Sequence, residues 1–213
     1  MKVMSKRKIV VSDVDGTIVR RSLVLNHAAK LHEEGIIDFG ELPSQWQADP
    51  KNEGLITQLA ELYRDSLTGL TLDALGVDAY IQDVVIDPKN FYSTLARLRE
   101  LRKFGAQVFL ISGSPSFLVE RFAAHFGFQG IGSEYVMDEF GRFTGACVGM
   151  FSSKAKQAFL KSLGLEQYDE VLAFGDTESD RPLFNSAHYS VLVEPNKATH
   201  EALVTVVNEV IYD

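Results

Sequence analysis

A single cysteine, Cys147, stands in a chain of 213 residues, so no intramolecular disulfide can form. That fits a reducing compartment. With no cysteine or histidine cluster beside it in the sequence, Cys147 reads as a buried structural residue. No apolar run approaches the ~20 residues needed to cross a bilayer. The opening stretch MKVMSKRKIVV lacks the long apolar segment of a secretory signal. The expectation is a soluble cytoplasmic protein with no membrane partner. Positive charge is also short: 21 Lys and Arg face 29 Asp and Glu, a formal net charge of -8. Nucleic-acid binders ordinarily carry a basic face. The basic cluster here, Lys6, Arg7 and Lys8, precedes a strand and reads as its solvated entrance, so nucleic acid is not an expected partner. Trp46, the one tryptophan, reads as packing rather than as a ligand stack. His27 and His32 lie five apart on a predicted helix and do not share a face, which argues against a metal pair.

What is present is enough apolar material for a sizeable core, 46% of residues. RKIVVS at 7–12 is a short β-branched run stopped by the turn sequence DVDGT. Further strands are predicted at 106–112 (AQVFLIS), 170–175 (EVLAFG) and 188–194 (HYSVLVE). Helices are predicted at 90–104, 115–126, 153–163, 179–185 and 199–210, the first with Leu95, Leu98 and Leu101 on one face and Gly105 at its end. Strands alternating with helices imply an α/β fold with a Rossmann-like parallel sheet covered on both faces. Two stretches break the alternation. Residues 20–87 read as helical throughout (22–34, 52–66 and 71–85), an inserted helical cap between core segments 1–19 and 88–213. That insert holds 5 Lys and Arg against 12 Asp and Glu, read as solvated acidic helix faces. Residues 130–149, with aromatic and β-branched residues around Gly141, read as a hairpin.

In parallel sheets ligands bind at the carboxyl ends of the strands, and here those ends are polar. Asp13 and Asp15 close the first strand. Two carboxylates so placed need a counter-charge, and oxygen ligands without Cys or His suit Mg2+ better than Zn2+. DVDGT is also an ordinary turn sequence. Asp176 ends another strand and completes an acidic set with Asp13 and Asp15. Asp180, four residues on, reads either as a helix cap paired with Thr177 or as a group that holds a metal-bound water or orients a ligand. Ser112 and Gly113 end a third strand, and Ser114-Pro115 looks like a helix N-cap followed by a first helical residue. A hydroxyl plus free helix amides makes a phosphate cradle, or simply a cap. Lys154 near a helix N-terminus is disfavoured by the helix dipole, which suggests a use in neutralising phosphate. Lys156 is its rival, but two positions on it faces another direction.

The order strand-DxDGT, strand-Ser, helix-Lys, strand-GDxxxD resembles the four motifs of the haloacid dehalogenase (HAD) superfamily, over essentially the whole chain. LISGSPSFLVERFAAHFG, GRFTG, FSSKAKQAFLKSLG and FGDTESDRPLF look most like its phosphoserine-phosphatase-like branch, and the insert after DVDGT resembles a type 1 cap. The resemblance implies a Mg2+-dependent phosphomonoester hydrolase acting on a small phosphorylated metabolite. Asp13 is then the nucleophile, forming an aspartyl-phosphate, and Asp15 the acid and base. Asp13, the Asp15 backbone carbonyl and Asp176 hold the metal, with Asp180 behind them. Ser112, Gly113 and Lys154 bind the phosphoryl group. Phosphotransfer through the same intermediate and non-catalytic binding are the alternatives, and a homodimer is the candidate assembly. One departure bears on substrate. The branch carries a glutamate shortly after the first motif, which holds the amine of phosphoserine. Here that stretch is IVRRSLVLN, with Ser22 near the place and Arg20 and Arg21 before it.

Overall fold

A computed structural model describes residues 7–39, 53–149 and 153–213. Trp46 and Lys6 lie outside the described residues. Seven strands form one sheet: β1 (Lys8–Ser12), β2 (Gln107–Pro115), β3 (Gln129–Met137), β4 (Phe143–Val148), β5 (Glu170–Gly175), β6 (Tyr189–Val193) and β7 (Glu209–Ile211), in the order β4-β3-β2-β1-β5-β6-β7. All pairings are parallel except β3 with β4. The fold is the expected α/β, Rossmann-like architecture.

Alternation along the strands sorts the core into two layers. Val10, Val108, Leu110, Phe174, Val191 and Val193 face one side. Ile9, Val11, Phe109, Ile111, Val171, Ala173 and Leu192 face the other. Helices α4 (Thr94–Lys103) and α5 (Ser116–His125) cover the first face with Leu95, Leu98, Leu118 and Phe122. Helices α6 (Ser153–Ser162), α7 (Arg181–Asn185) and α8 (Lys197–Leu203) cover the second with Leu160, Leu183, Phe184 and Leu203. A fully buried side chain such as Phe122 contributes on the order of 1.5–3 kcal/mol. Gly130 on β3 lets α5 lie directly on the sheet, since a Cβ there would come within 2.5 Å of the Val119 carbonyl oxygen.

Within 20–87 the described segment is helical, as the sequence indicates: α1 (Leu23–Glu33), α2 (Glu53–Ser66), a 3-10 turn over Asp73–Leu75 and α3 (Val77–Ile86). Its apolar residues, among them Val24, Leu25, Leu31, Tyr63 and Tyr80, join the cluster that holds α5. His27 is buried there. Its Nε2 lies 2.8 Å from the Leu75 carbonyl, which can only accept, so that nitrogen carries the proton and Nδ1 accepts from the Tyr63 hydroxyl at 2.8 Å. At the strand entrance Lys8 pairs with Glu170 at 2.6 Å. No helix among the described residues is long and apolar enough to cross a membrane.

Three expectations are corrected. The hairpin at 130–149 exists, but its first strand also continues the parallel sheet beside β2, which the glycines at 130 and 132 masked. The helix expected at 199–210 ends at Leu203, and Glu209–Ile211 pairs with β6 instead. There Asn208 Oδ1 accepts from the Ser190 amide at 2.8 Å, pinning the last strand to the sheet. The helix expected from residue 115 starts at Ser116, because β2 runs on through Pro115.

Candidate active site

From β1 the chain moves outward to β2 and β3 on one side and later to β5, β6 and β7 on the other. β1 is therefore the switch point of the sheet, where a ligand crevice forms at the strands' carboxyl ends. Asp13 leaves β1 there, its amide bonded to the Phe174 carbonyl at 3.0 Å. The chain then folds into a tight turn in which the amides of Thr17, Ile18 and Val19 converge on the Val14 carbonyl. Gly16 is required in that turn. Its φ is +82°, and a Cβ would fall 2.2 Å from Asp176 Oδ2. Thr17 Oγ1 reaches Asp176 Oδ1 at 3.1 Å. The DVDGT segment is thus fitted to the end of β5.

Asp176 follows β5, and Asp180 folds back on it. Oδ2 of Asp180 accepts from the amides of Asp176 at 3.0 Å and Thr177 at 3.2 Å. The cap reading of Asp180 holds, since it closes a capping box with Thr177, and its other oxygen, Oδ1, points to Lys156. Lys156 Nζ lies 2.6 Å from that Oδ1 and 2.8 Å from Asp13 Oδ1. Asp13, Asp176, Asp180 and Lys156 are all buried.

The lysine expectation is corrected here. Lys154 is exposed, and Lys156 enters the site. The positions three, four and seven after Lys156 are Phe159, Leu160 and, just past the end of α6, Leu163; Leu160 is in the core and the other two pack against it. Those after Lys154 are Gln157, Ala158 and Lys161, all exposed. Lys156 thus continues the buried stripe, a signal present in the spacing.

Asp13, Asp176 and Asp180 each present a carboxylate oxygen within 4.8 Å of the others. With Asp13 ionised, one ammonium among three carboxylates leaves two negative charges over, the amount a divalent cation supplies. The donor set is oxygen only, and Gly16 leaves room where a side chain would displace Asp176. The residues therefore fit a hard divalent metal. The Asp15 carboxylate is not in this cluster. It is half-buried and accepts from the Leu23 amide at the start of α1 (2.5 Å), Ser112 Oγ (2.5 Å) and Ser114 Oγ (2.8 Å). Ser114 is consequently not the N-cap of α5. Pro115 takes that position, and the Ser114 hydroxyl faces Asp15. Ser112 Oγ itself accepts from the Ser114 amide at 2.9 Å, and the Gly113 carbonyl accepts from Ser133 Oγ at 2.7 Å.

Burial dominates the electrostatics. It pushes Asp13 up to about 8, against the pull of Lys156 and reinforced by Asp180 and Asp15. It raises Asp15 too, although the hydrogen bonds from Ser112, Leu23 and Ser114 oppose the rise. For Lys156 burial acts downward, but Asp13 and Asp180 outweigh it and hold the ammonium above its ordinary range.

Comparisons with known proteins agree with this architecture. The sequence model of the haloacid dehalogenase-like hydrolases matches residues 10–185. No curated protein matches the chain. Among solved structures, a Bordetella pertussis Tohama I protein of unknown function aligns with a TM-score of 0.76 at 19% identity, over 97% of this chain and 99% of that one. A phospho-aspartyl intermediate analogue of phosphoserine phosphatase aligns with a TM-score of 0.66 at 18% identity, over 97% and 94%. Phosphoserine phosphatase from T. onnurineus aligns with a TM-score of 0.57 at 16% identity, over 100% and 93%. At these identities the structural likeness concerns the fold. The family match runs from β1 to the end of α7 and takes in every residue of the acidic site, and on that match the chain belongs to the haloacid dehalogenase-like hydrolases.

Proposed function

We propose that the protein is a Mg2+-dependent phosphomonoester hydrolase acting on a small phosphorylated metabolite through a phosphorylated Asp13. The observation that carries this reading is the buried bridge of Lys156 between Asp13 and Asp180 at the switch point of the sheet. A carboxylate can attack a phosphate dianion only where fixed positive charge offsets the repulsion, and phosphoryl transfer depends mainly on such positioning and neutralisation.

Asp13, Asp176 and the Asp15 backbone carbonyl would hold the metal, with Asp180 beside them. When bound, Mg2+ supplies the remaining positive charge at the phosphoryl oxygens. The other roles belong to side chains. Asp13 attacks phosphorus. Lys156, in place of Lys154, draws charge from Asp13 and a phosphoryl oxygen. The Ser112 hydroxyl and the Gly113 amide receive the phosphoryl group. Asp15, whose carboxyl is raised by burial, gives its proton to the leaving oxygen and later takes one from the attacking water. Residues 20–87 act as the cap that chooses the substrate and shields the intermediate.

Phosphoserine is not the substrate we favour. The stretch after Asp15 offers no carboxylate for an amine: Ser22 is buried before α1, and Arg20 stacks on Tyr92 with its guanidinium 4.3 Å from the ring centroid. The test is phosphate release from a panel of phosphorylated metabolites, with and without Mg2+, beside Asp13→Asn. Metal-dependent release that the variant loses supports the reading. No release from any compound by folded, Mg2+-loaded protein overturns it.

A further inference from the structure

Ser114 is absent from every role assigned above, yet its side chain is 2% exposed and its hydroxyl lies 2.8 Å from Asp15 Oδ2. Ser112 and Ser114 are two apart near the end of β2, in the stretch where its register with β3 shifts. Their hydroxyls converge on one carboxylate oxygen, while the Leu23 amide holds the other. The bonds form a directed chain: the Ser114 amide donates to Ser112 Oγ, Ser112 Oγ donates to Asp15 Oδ2, and Ser114 Oγ donates to the same Oδ2.

Ser112 cannot serve two acceptors with one hydroxyl proton. If it turns to a phosphoryl oxygen, it releases Asp15. We infer that Ser114 is a positioning residue for Asp15, the hydroxyl that keeps the acid–base carboxylate aimed at the leaving oxygen once Ser112 has moved to the phosphoryl group. The inference rests on the reading of Asp15 as general acid. In the step concerned, a carboxylate oxygen of Asp13 forms a bond to phosphorus and the bond from phosphorus to the leaving oxygen breaks. The Asp15 proton passes to that oxygen. Ser114 exchanges no proton with substrate; it fixes the direction from which the proton comes.

The demand for that proton depends on the leaving group. An alkoxide requires it, whereas 4-nitrophenolate departs readily without it. The measurement is kcat/KM, which covers steps up to departure of the leaving group, for 4-nitrophenyl phosphate and for the best alkyl phosphate of the panel. In Ser114→Ala the alkyl phosphate should lose ~10-fold more than the aryl phosphate, a part of the 10²–10⁴ that general acids contribute. Ser114→Thr, which keeps a hydroxyl, should hold the wild-type ratio. Because the ratio is taken within one preparation, a partly unfolded variant does not change it. Equal loss on both substrates, no loss on either, or the same change in Ser114→Thr overturns the inference and leaves the phosphatase reading intact. Wild-type protein that hydrolyses neither compound overturns both.

Discussion

Lys156 Nζ sits 2.8 Å from Asp13 Oδ1, with the two side chains 5% and 8% exposed. A pair so deep is not an ordinary surface salt bridge, whose worth is about 0–1 kcal/mol. Removing one partner of a buried pair leaves an uncompensated charge, at a cost of about 3–5 kcal/mol. Here that charge would be shared by Asp13, Asp176 and Asp180. Lys156→Ala should therefore lose at least ~10²-fold in kcat/KM. Lys154→Ala, exposed on the other side of α6, should stay within about twofold of wild type. Steady-state kinetics on the two variants separates them, and the reverse order would remove Lys156 from the site.

Divalent metal should stabilise the fold. The acidic cluster exists only in the folded chain, so a cation that binds it adds stability in proportion to RT ln(1 + [L]/Kd), about 2.7 kcal/mol at a hundredfold excess over Kd. Thermal unfolding should shift upward with Mg2+ and return with chelator. Asp176→Asn and Asp180→Asn should each weaken the shift. An unchanged midpoint at saturating Mg2+ in wild-type protein would count against the metal site.

Gly16 supplies a second handle on that site. An alanine there meets Asp176 Oδ2 and must hold φ +82°. The left-handed conformation alone costs about 1–2 kcal/mol. Gly16→Ala should unfold more easily than wild type and lose the Mg2+ response, read in the same melting experiment. A variant that keeps the full response would show that the turn is not fitted to Asp176.

His27 ties stability to pH. Burial holds its imidazole down to about 4, so the folded state keeps it neutral where an unfolded histidine, near 6.5, takes a proton. Between those values the unfolded chain binds more protons, and stability falls as the pH falls. The contribution is fully present above 6.5 and is lost toward pH 4, by up to ~3 kcal/mol. Urea unfolding of wild type and His27→Gln should show their stability difference shrinking over that window. A difference that stays constant would place the His27 value near 6.5.

Much of this was readable in the sequence because the features are local. Ile9-Val10-Val11, Val108 to Ile111 and Val171 to Phe174 announce buried strands by composition, and each ends in the polar residues that build the site. Asp13, Asp15, Ser112 and Asp176 all lie at those ends; the structure gathers Asp13 and Asp176 with Asp180, and sets Ser112 against the separate Asp15 carboxylate. Helix-dipole logic points to Lys154, whereas the apolar stripe that begins on α6 passes through 156, 159 and 160 and continues to 163. A buried lysine belongs on that stripe only if carboxylates await it from β1 and β5, which is tertiary information. Ser114 looks like a cap for a similar reason: Ser-Pro before a helix is a local cap signal, while Asp15 lies 99 residues away in sequence. The last strand was hidden because Glu209–Ile211 is too short to show a period and acquires its partner only from β6.

The most direct test of the account is to find the phosphoryl group on Asp13. Wild-type protein turning over its best substrate with Mg2+ is quenched in acid and digested, and the peptide carrying DVDGT is weighed by mass spectrometry. That peptide should be heavier by one phosphoryl group, with the modification on Asp13 and absent from Asp13→Asn. Active protein with no phosphorylated Asp13 under rapid quench, or with the group on another residue, would contradict it.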